Sequence, residues 1–150
     1  TPSRRVVLIE RGVLRSFLHN TETAARTGQR TTGHAHRSYG GTLGVAPTNL
    51  ILEPGAGVTR GDGVLVTDLM GVHAGANPIT GDVSVQAMGL ETVGGETYPV
   101  DDFAVSFNLF ELLRRVEEVG NDAETRPALG GGGAVTAPSI AVPDVSFAGK

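Results

Sequence analysis

Between Gly63 and Leu90 the chain reads GVLVTDLMGVHAGANPITGDVSVQAMGL, and the middle of that stretch gathers side chains that can hydrogen-bond, ionise or ligate: His73, Asn77, Thr80, Gly81 and Asp82, with Ser84 just beyond. Polar groups on a loop between two strands are a common way to carry a binding site, because the strands fix the loop while the loop supplies chemistry. The same residue types also build turns for geometric reasons alone, and a loop histidine is often satisfied by a backbone carbonyl. A second cluster is His34-Ala35-His36. On an extended backbone, residues two apart face the same side, so both imidazoles could reach one metal ion. Catalytic zinc takes three protein ligands, so His19, His73 or a carboxylate such as Asp82 would have to complete the set.

The elements that would position these residues are legible as periodicities. Val64 to Leu69 is rich in β-branched and apolar residues, and Val83, Val85 and Ala87 alternate with Ser84, Gln86 and Met88. Both patterns predict strands flanking the loop. Upstream, Val6 to Ile9 and Val13 to Leu18 predict a hairpin about Gly12, which is free to take positive φ. Asn20 is placed to cap a short helix at about 21–27 that Gly28 ends. Residues 29–49 predict a long polar loop, and Leu50 to Leu52 a short strand. Downstream, Gly94-Gly95 marks a hairpin turn. Val100, Phe103, Val105 and Phe107 mark its second strand, kinked or bulged at Asp101-Asp102.

Asn108 then opens a helix predicted over about 108–119. Leu109, Leu112, Leu113, Val116 and Val119 form its apolar stripe, Glu111 completes a capping box, Glu111 and Arg115 form an i,i+4 pair, and Gly120 is the stop. The glycines at 130–133 lack the strand, lysine and helix that a phosphate-cradling loop needs. Ile140, Val142, Val145 and Phe147 predict a last strand with a bulge around Pro143-Asp144.

These elements and the 22 glycines imply a mainly β fold with a minor α part: layered antiparallel sheets or a barrel-like sandwich, with helices at about 108–119 and 21–27. At 150 residues the chain is expected to be one domain with a real core. The net charge of −4 and the scattered arginines argue against direct nucleic-acid binding, which needs clustered positive charge. Without cysteine there is no disulfide and no thiolate ligand. No apolar run is long enough to cross a membrane as a helix. The chain begins at Thr1 rather than methionine, so a fragment or processed chain is expected.

Taken together, LMGVHAGANPITGDVSVQAMGL resembles the signature of the TldD/PmbA proteins, also called the modulator of DNA gyrase family. The likeness rests on His73, Asn77, Thr80-Gly81-Asp82, Ser84 and Gly89. Thr32-Gly33-His34-Ala35, Tyr98-Pro99-Val100, the helix after Asn108, Val119-Gly120-Asn121-Asp122 and the Pro138 to Gly149 segment follow in the family's order. The resemblance implies a cytoplasmic, two-domain protein of which residues 1–150 are the C-terminal domain, the family's N-terminal domain being absent from this chain. In the family's catalytic subunit, zinc is held by two histidines of a His-Glu-x-x-x-His helix and by a cysteine of the C-terminal half. Here none of His19, His34, His36 and His73 is followed by glutamate, and no cysteine stands near Gly130 to Gly133. The chain therefore resembles the non-catalytic TldE/PmbA-type subunit.

The implied function is to shape a peptide-binding chamber and pair with a TldD-like catalytic subunit, or as a homodimer. Zinc would sit in the catalytic partner, and this chain would hold no cofactor. His73, Asn77, Thr80, Gly81, Asp82 and Ser84 are the expected chamber or interface residues. Two alternatives stand beside this reading: a self-sufficient metal-dependent hydrolase using His34 and His36, and a gyrase- or DNA-related interaction protein.

Overall fold

A long two-stranded ribbon gives the fold its frame. In a computed structural model, which describes residues 1–128 and 133–149, the chain divides into two units: unit 1, Thr1–Leu52 with Thr125–Thr136, and unit 2, Glu53–Glu124 with Ala137–Lys150.

Unit 1 is built from short pieces. Strands β1 (Ile9–Glu10) and β2 (Val13–Leu14) form the expected hairpin, with Arg11 and Gly12 both at positive φ in its turn. The predicted second strand stops early because the Arg15 and Ser16 N–H groups both donate to the Leu8 carbonyl, which closes the ladder. Helix α1 (Thr21–Thr27) is capped as expected. The Asn20 side chain accepts from the Thr23 N–H, the Thr23 hydroxyl accepts from the Asn20 N–H, and Gly28 ends the helix in the left-handed region. The polar stretch 29–49 contains a second small hairpin, β3 (Ala35–His36) with β4 (Gly44–Val45). Strand β5 (Asn49–Ile51) runs parallel to β11 (Ala134–Ala137), which also pairs with β10 (Glu124–Pro127). That parallel contact departs from the all-antiparallel expectation. Of the glycine run at 130–133, residues 130–132 lie outside the described residues.

Unit 2 holds the four-stranded antiparallel sheet, in the order β13-β8-β7-β6. β6 (Gly63–Met70) leads through α2 (Val72–Gly75) to β7 (Asp82–Val93), and β7 turns into β8 (Glu96–Asn108). Gly94 and Gly95, at φ of 60° and 85°, form the tight turn, a conformation that side chains with a Cβ adopt poorly. The ribbon bulges between Ala87 and Gly89, opposite the predicted kink, where Asp102 takes a φ of 55°. One face buries Val85, Ala87, Phe103 and Val105, against which Val64, Val66, Val72, Val83, Val100, Phe107 and Val145 pack. The alternation read from the sequence is thus the inside–outside alternation of β7. The sheet is open rather than closed into a barrel, since β6 and β13 lie at opposite ends of its order.

The helix predicted over 108–119 is only one and a half turns long. α3 spans Leu109–Arg114, with Asn108 as its cap. Strand pairing captures the rest. The Glu117 N–H donates to Ala141 O, and β9 (Glu118–Val119) pairs with β12 (Ile140–Ala141). Arg115 does not meet Glu111. Its guanidinium donates to the carbonyls of Pro143 and Asp144, while Arg114 takes Glu111 at 2.7 Å. Gly120 is not a helix stop but donates its N–H to Ser139 O. The single predicted last strand is two: β12, and β13 (Ser146–Ala148) beside β8. Asp144, at a φ of 51°, marks the break between them. Unit 2 therefore depends on one small core, and the exposed Phe147 meets buried Phe103 edge-on with ring centroids 5.5 Å apart. Phe103→Ala is expected to cost about 3–5 kcal/mol, read as a cooperative loss in thermal or urea unfolding with the transition otherwise unchanged.

Candidate functional site

The loop after α2 folds back onto the start of β7. Ala76 bridges Val83, the Asn77 N–H donates to Asp82 O, and the Gly81 N–H donates to Asn77 O, both at 2.8 Å. Within the turn, Asn77 Oδ1 accepts from the N–H groups of Ile79 and Thr80 at 2.9 and 3.2 Å, which is the geometry an Asn at a turn start provides. The Asp82 N–H donates to the Thr80 hydroxyl.

Asn108, at the junction of β8 and α3, locks this turn from the other side. Its Nδ2 donates to Thr80 O and to Asp82 Oδ1, each at 2.9 Å, and its Oδ1 accepts from the N–H groups of Phe110 and Glu111. The Leu109 N–H donates to Gly81 O at 2.7 Å. Gly81 sits at a φ of 82° beneath the Phe110 ring, so close that a Cβ there would lie 2.6 Å from Cδ2. The Asn108 amide, and secondarily the Thr80 hydroxyl, favour ionised Asp82 and hold its carboxyl below the usual carboxylate range; desolvation opposes them weakly.

Beside the turn lies an open cleft of about 780 Å³, whose walls include Gly75, Ala76, Asn77, Asp82, Ser84 and Ser106. Ser84 and Ser106 face each other across the ribbon with their hydroxyls 3.0 Å apart. The cleft offers hydroxyls, an amide and a negative charge against apolar flanks. Those groups suit hydrogen bonding to an extended backbone. They do not make a nucleophile, because Ser84 has another serine beside it rather than a base.

Of the residues singled out from sequence, Asn77, Asp82 and Ser84 line this cleft. Thr80 and Gly81 belong to the turn that braces it, and His73 is exposed on α2 outside the lining. Ser106 and the bracing role of Asn108 were not legible. Asn108 reads from sequence only as a helix cap, and Ser106 enters through strand register.

The two histidines of the possible metal pair differ in burial. His34 is buried, at 8% exposure, with Nδ1 3.0 Å from the Thr32 hydroxyl, while His36 lies exposed in β3. β3 begins at Ala35, and the Ala46 N–H donates to the His34 carbonyl just before it. Among the described residues, no three of His, Cys, Asp and Glu gather as a metal-binding group. The donor groups of the described residues therefore do not fit zinc. Among them, too, no helix is long and apolar enough to cross a membrane.

A family model described as the PmbA/TldA metallopeptidase C-terminal domain matches residues 1–149. The chain is 32% identical over 147 residues to the metalloprotease PmbA of Escherichia coli O157:H7, covering 95% of this chain and 30% of that protein. Among solved structures, a Thermotoga maritima protein named as a modulator of a DNA gyrase superposes with a TM-score of 0.81 at 35% identity. TldE from Thermococcus kodakarensis does so with a TM-score of 0.84 at 27% identity. Each match covers 99% of this chain and 34% of the solved one. The chain thus spans about a third of the length of these relatives.

Asn108→Ala is expected to lower stability by about 0.5–2 kcal/mol, the usual cost of losing a helix cap. It should also change the pH dependence. The native Asp82 carboxyl titrates below its unfolded value, so the native state holds fewer protons there. Its contribution is full above the unfolded pKa and lost as pH falls through the depressed native value. Unfolding midpoints measured from pH 2 to 6 should fall less steeply with acid in Asn108→Ala than in the parent chain.

Proposed function

Because the chain belongs to the PmbA/TldA metallopeptidase C-terminal domain family, we propose that it serves as the TldE/PmbA-type, non-catalytic part of a two-subunit metallopeptidase in the cytoplasm. In this reading it forms one wall of a peptide-binding chamber, and a TldD-like catalytic subunit supplies the zinc. The observation that carries the proposal is the cleft beside the Asn108-braced turn. Asn77, Asp82, Ser84 and Ser106 present hydrogen-bonding groups there without a metal-ligand set or an activated nucleophile. An extended peptide needs such a surface. Its backbone finds donors and acceptors on strand edges and polar walls, and alternate side chains fall into pockets. The ionised Asp82 adds a preference for peptides with a basic or N-terminal amine group near that wall.

The ligand chemistry supports placing hydrolysis elsewhere. A zinc site of the expected kind wants thiolate or imidazole donors converging on one point. This chain has no cysteine, and of the His34–His36 pair one is buried and the other exposed.

Two measurements test the reading. Elemental mass spectrometry on exhaustively dialysed protein should find negligible zinc per chain; near-stoichiometric zinc would overturn the non-catalytic assignment. Ser84→Arg, which fills the cleft from an exposed strand position, should cut peptide hydrolysis by the assembled complex about tenfold or more while leaving the thermal midpoint within a few degrees. Unchanged hydrolysis would remove the cleft from the chamber.

A further inference from the structure

Val119-Gly120-Asn121-Asp122, one of the stretches that carry the family likeness, does not line the cleft. Its neighbours give it a different task. The chain passes between the two units three times, after Leu52, after Glu124 and after Thr136. Residues 53–62, which follow the first crossing, hold no helix or strand. The Gly55 N–H nevertheless donates to Gly120 O at 2.7 Å and the Gly57 N–H to Val119 O at 3.0 Å, so this stretch lies beside β9 as a strap. Such an approach needs glycine at 55, since a Cβ there would collide with the Val119 carbonyl. Asp122 stands just before the second crossing, and the residues after the third, Ala137 to Ser139, run past it into β12.

Carboxylates fasten these stretches by one repeated device. Glu118 Oε2 accepts from the Thr59 N–H at 2.7 Å, and its Oε1 accepts from the Thr59 hydroxyl at 3.0 Å. Asp122 Oδ1 accepts from the Ser139 N–H at 2.9 Å, and its Oδ2 accepts from the Ser139 hydroxyl at 2.7 Å. Each carboxylate thus takes the N–H and the hydroxyl of a single residue, and hydrogen bonds to an ionised acceptor are stronger than neutral ones. Gly120 sits between the two clamps. Its N–H donates to Ser139 O at 2.7 Å, and a Cβ there would collide with Asp122 Oδ1. The Ser139 hydroxyl, and then the Ser139 N–H, hold the Asp122 carboxyl below the usual carboxylate range against weak desolvation, and the charge of Arg60 on the strap acts in the same direction. β12, which pairs with β9 beside them, brings no charged side chain.

We propose that Glu118 and Asp122 are two separate latches of one conformational device: Glu118 fastens the 53–62 strap, Asp122 fastens the stretch entering β12, and opening either latch slackens its own connecting stretch while the β7–β8 core stays folded. Thr59 and Ser139 lie outside the helices and strands, so no ladder holds them when the carboxylate lets go. The core cluster of Val85, Ala87, Phe103 and Val105 contains none of the clamp residues. Local openings away from a core cost less than global unfolding. Acid opens the Asp122 latch. Its native carboxyl titrates below the unfolded value, so the latch contributes fully above the unfolded pKa and is lost as pH falls through the depressed native value. The device is independent of the chamber reading, since it is read in amide exchange and not in peptide hydrolysis.

The test is amide hydrogen exchange resolved at single residues by NMR, on the parent, Glu118→Ala and Asp122→Ala. The Thr59 and Ser139 amides report directly, because their acceptors are the two carboxylates. Both should be protected in the parent. Glu118→Ala should speed exchange at Thr59 about tenfold or more and leave Ser139 within about twofold, and Asp122→Ala should do the reverse. The β7 and β8 amides should keep their protection in both, which separates an opened latch from a lost fold. If either variant fails to fold, Glu118→Gln or Asp122→Asn takes its place, keeping the shape and removing the charge, with the same pattern expected at smaller size. In the parent, Ser139 protection, corrected for the intrinsic rate, should fall on acidification before that of β7 and β8. The proposal is overturned if Thr59 or Ser139 exchanges at the unprotected rate in the parent, if either variant leaves its own amide unchanged, or if both amides respond together in either variant.

Discussion

The pairing of β7 with β8 is the constraint on which unit 2 depends. It runs from Asp82↔Asn108 to Val93↔Glu96 and sets which side chains share a face. Antiparallel register allows no half-measures, because a slip of one residue exchanges inside for outside along the whole strand. Two devices hold the register: the Gly94-Gly95 turn at one end, and the bulge opposite Asp101-Asp102 in the middle. With register fixed, Ala87 falls at 0% exposure between Val85 and Phe103, and the core closes around it. β6, β13, α2 and α3 then attach to edges or ends that the ribbon has already placed.

The same constraint explains what the sequence disclosed and what it withheld. Periodicity in β7 and the glycine turn are local signals, and both were readable. The Ser84–Ser106 pair was not. Counting outward from Gly94-Gly95 without a bulge sets Ser84 opposite Val105, and only the one-residue shift between Ala87 and Gly89 brings Ser106 across from it. A kink at Asp101-Asp102 was legible, but its effect on every later pair belongs to register. The shortened α3 is a different kind of miss. Leu109, Leu112, Leu113, Val116 and Val119 do recur at helical spacing, yet Glu118–Val119 gains more by pairing with Ile140–Ala141 than by extending the helix. A short helix is cheap to end, since most helical stability comes from packing. No local pattern reveals a competing strand twenty residues away.

At the site, Asn108 shows how one side chain can serve two elements without competition. Its carbonyl oxygen faces the exposed N–H groups of α3, and its amide nitrogen faces the turn at Thr80 and Asp82. The donor and acceptor ends of a single amide are thereby both used. The turn is held by the same group that starts the helix, so the cleft wall inherits the rigidity of the ribbon beneath it. Glycine at 81 follows from this arrangement, because the Phe110 ring occupies the space a Cβ would need.

Charge gives a last lesson in scale. Over the whole chain the excess of acid looks mild and argues only against nucleic acid. Divided along the structural units it becomes two strong charges of opposite sign, with both carboxylates of unit 1 committed to neighbouring arginines. Surface ion pairs of that kind contribute little to stability, so the segregation is poorly explained as a folding device. Long-range fields act on encounter and orientation far more than on fold.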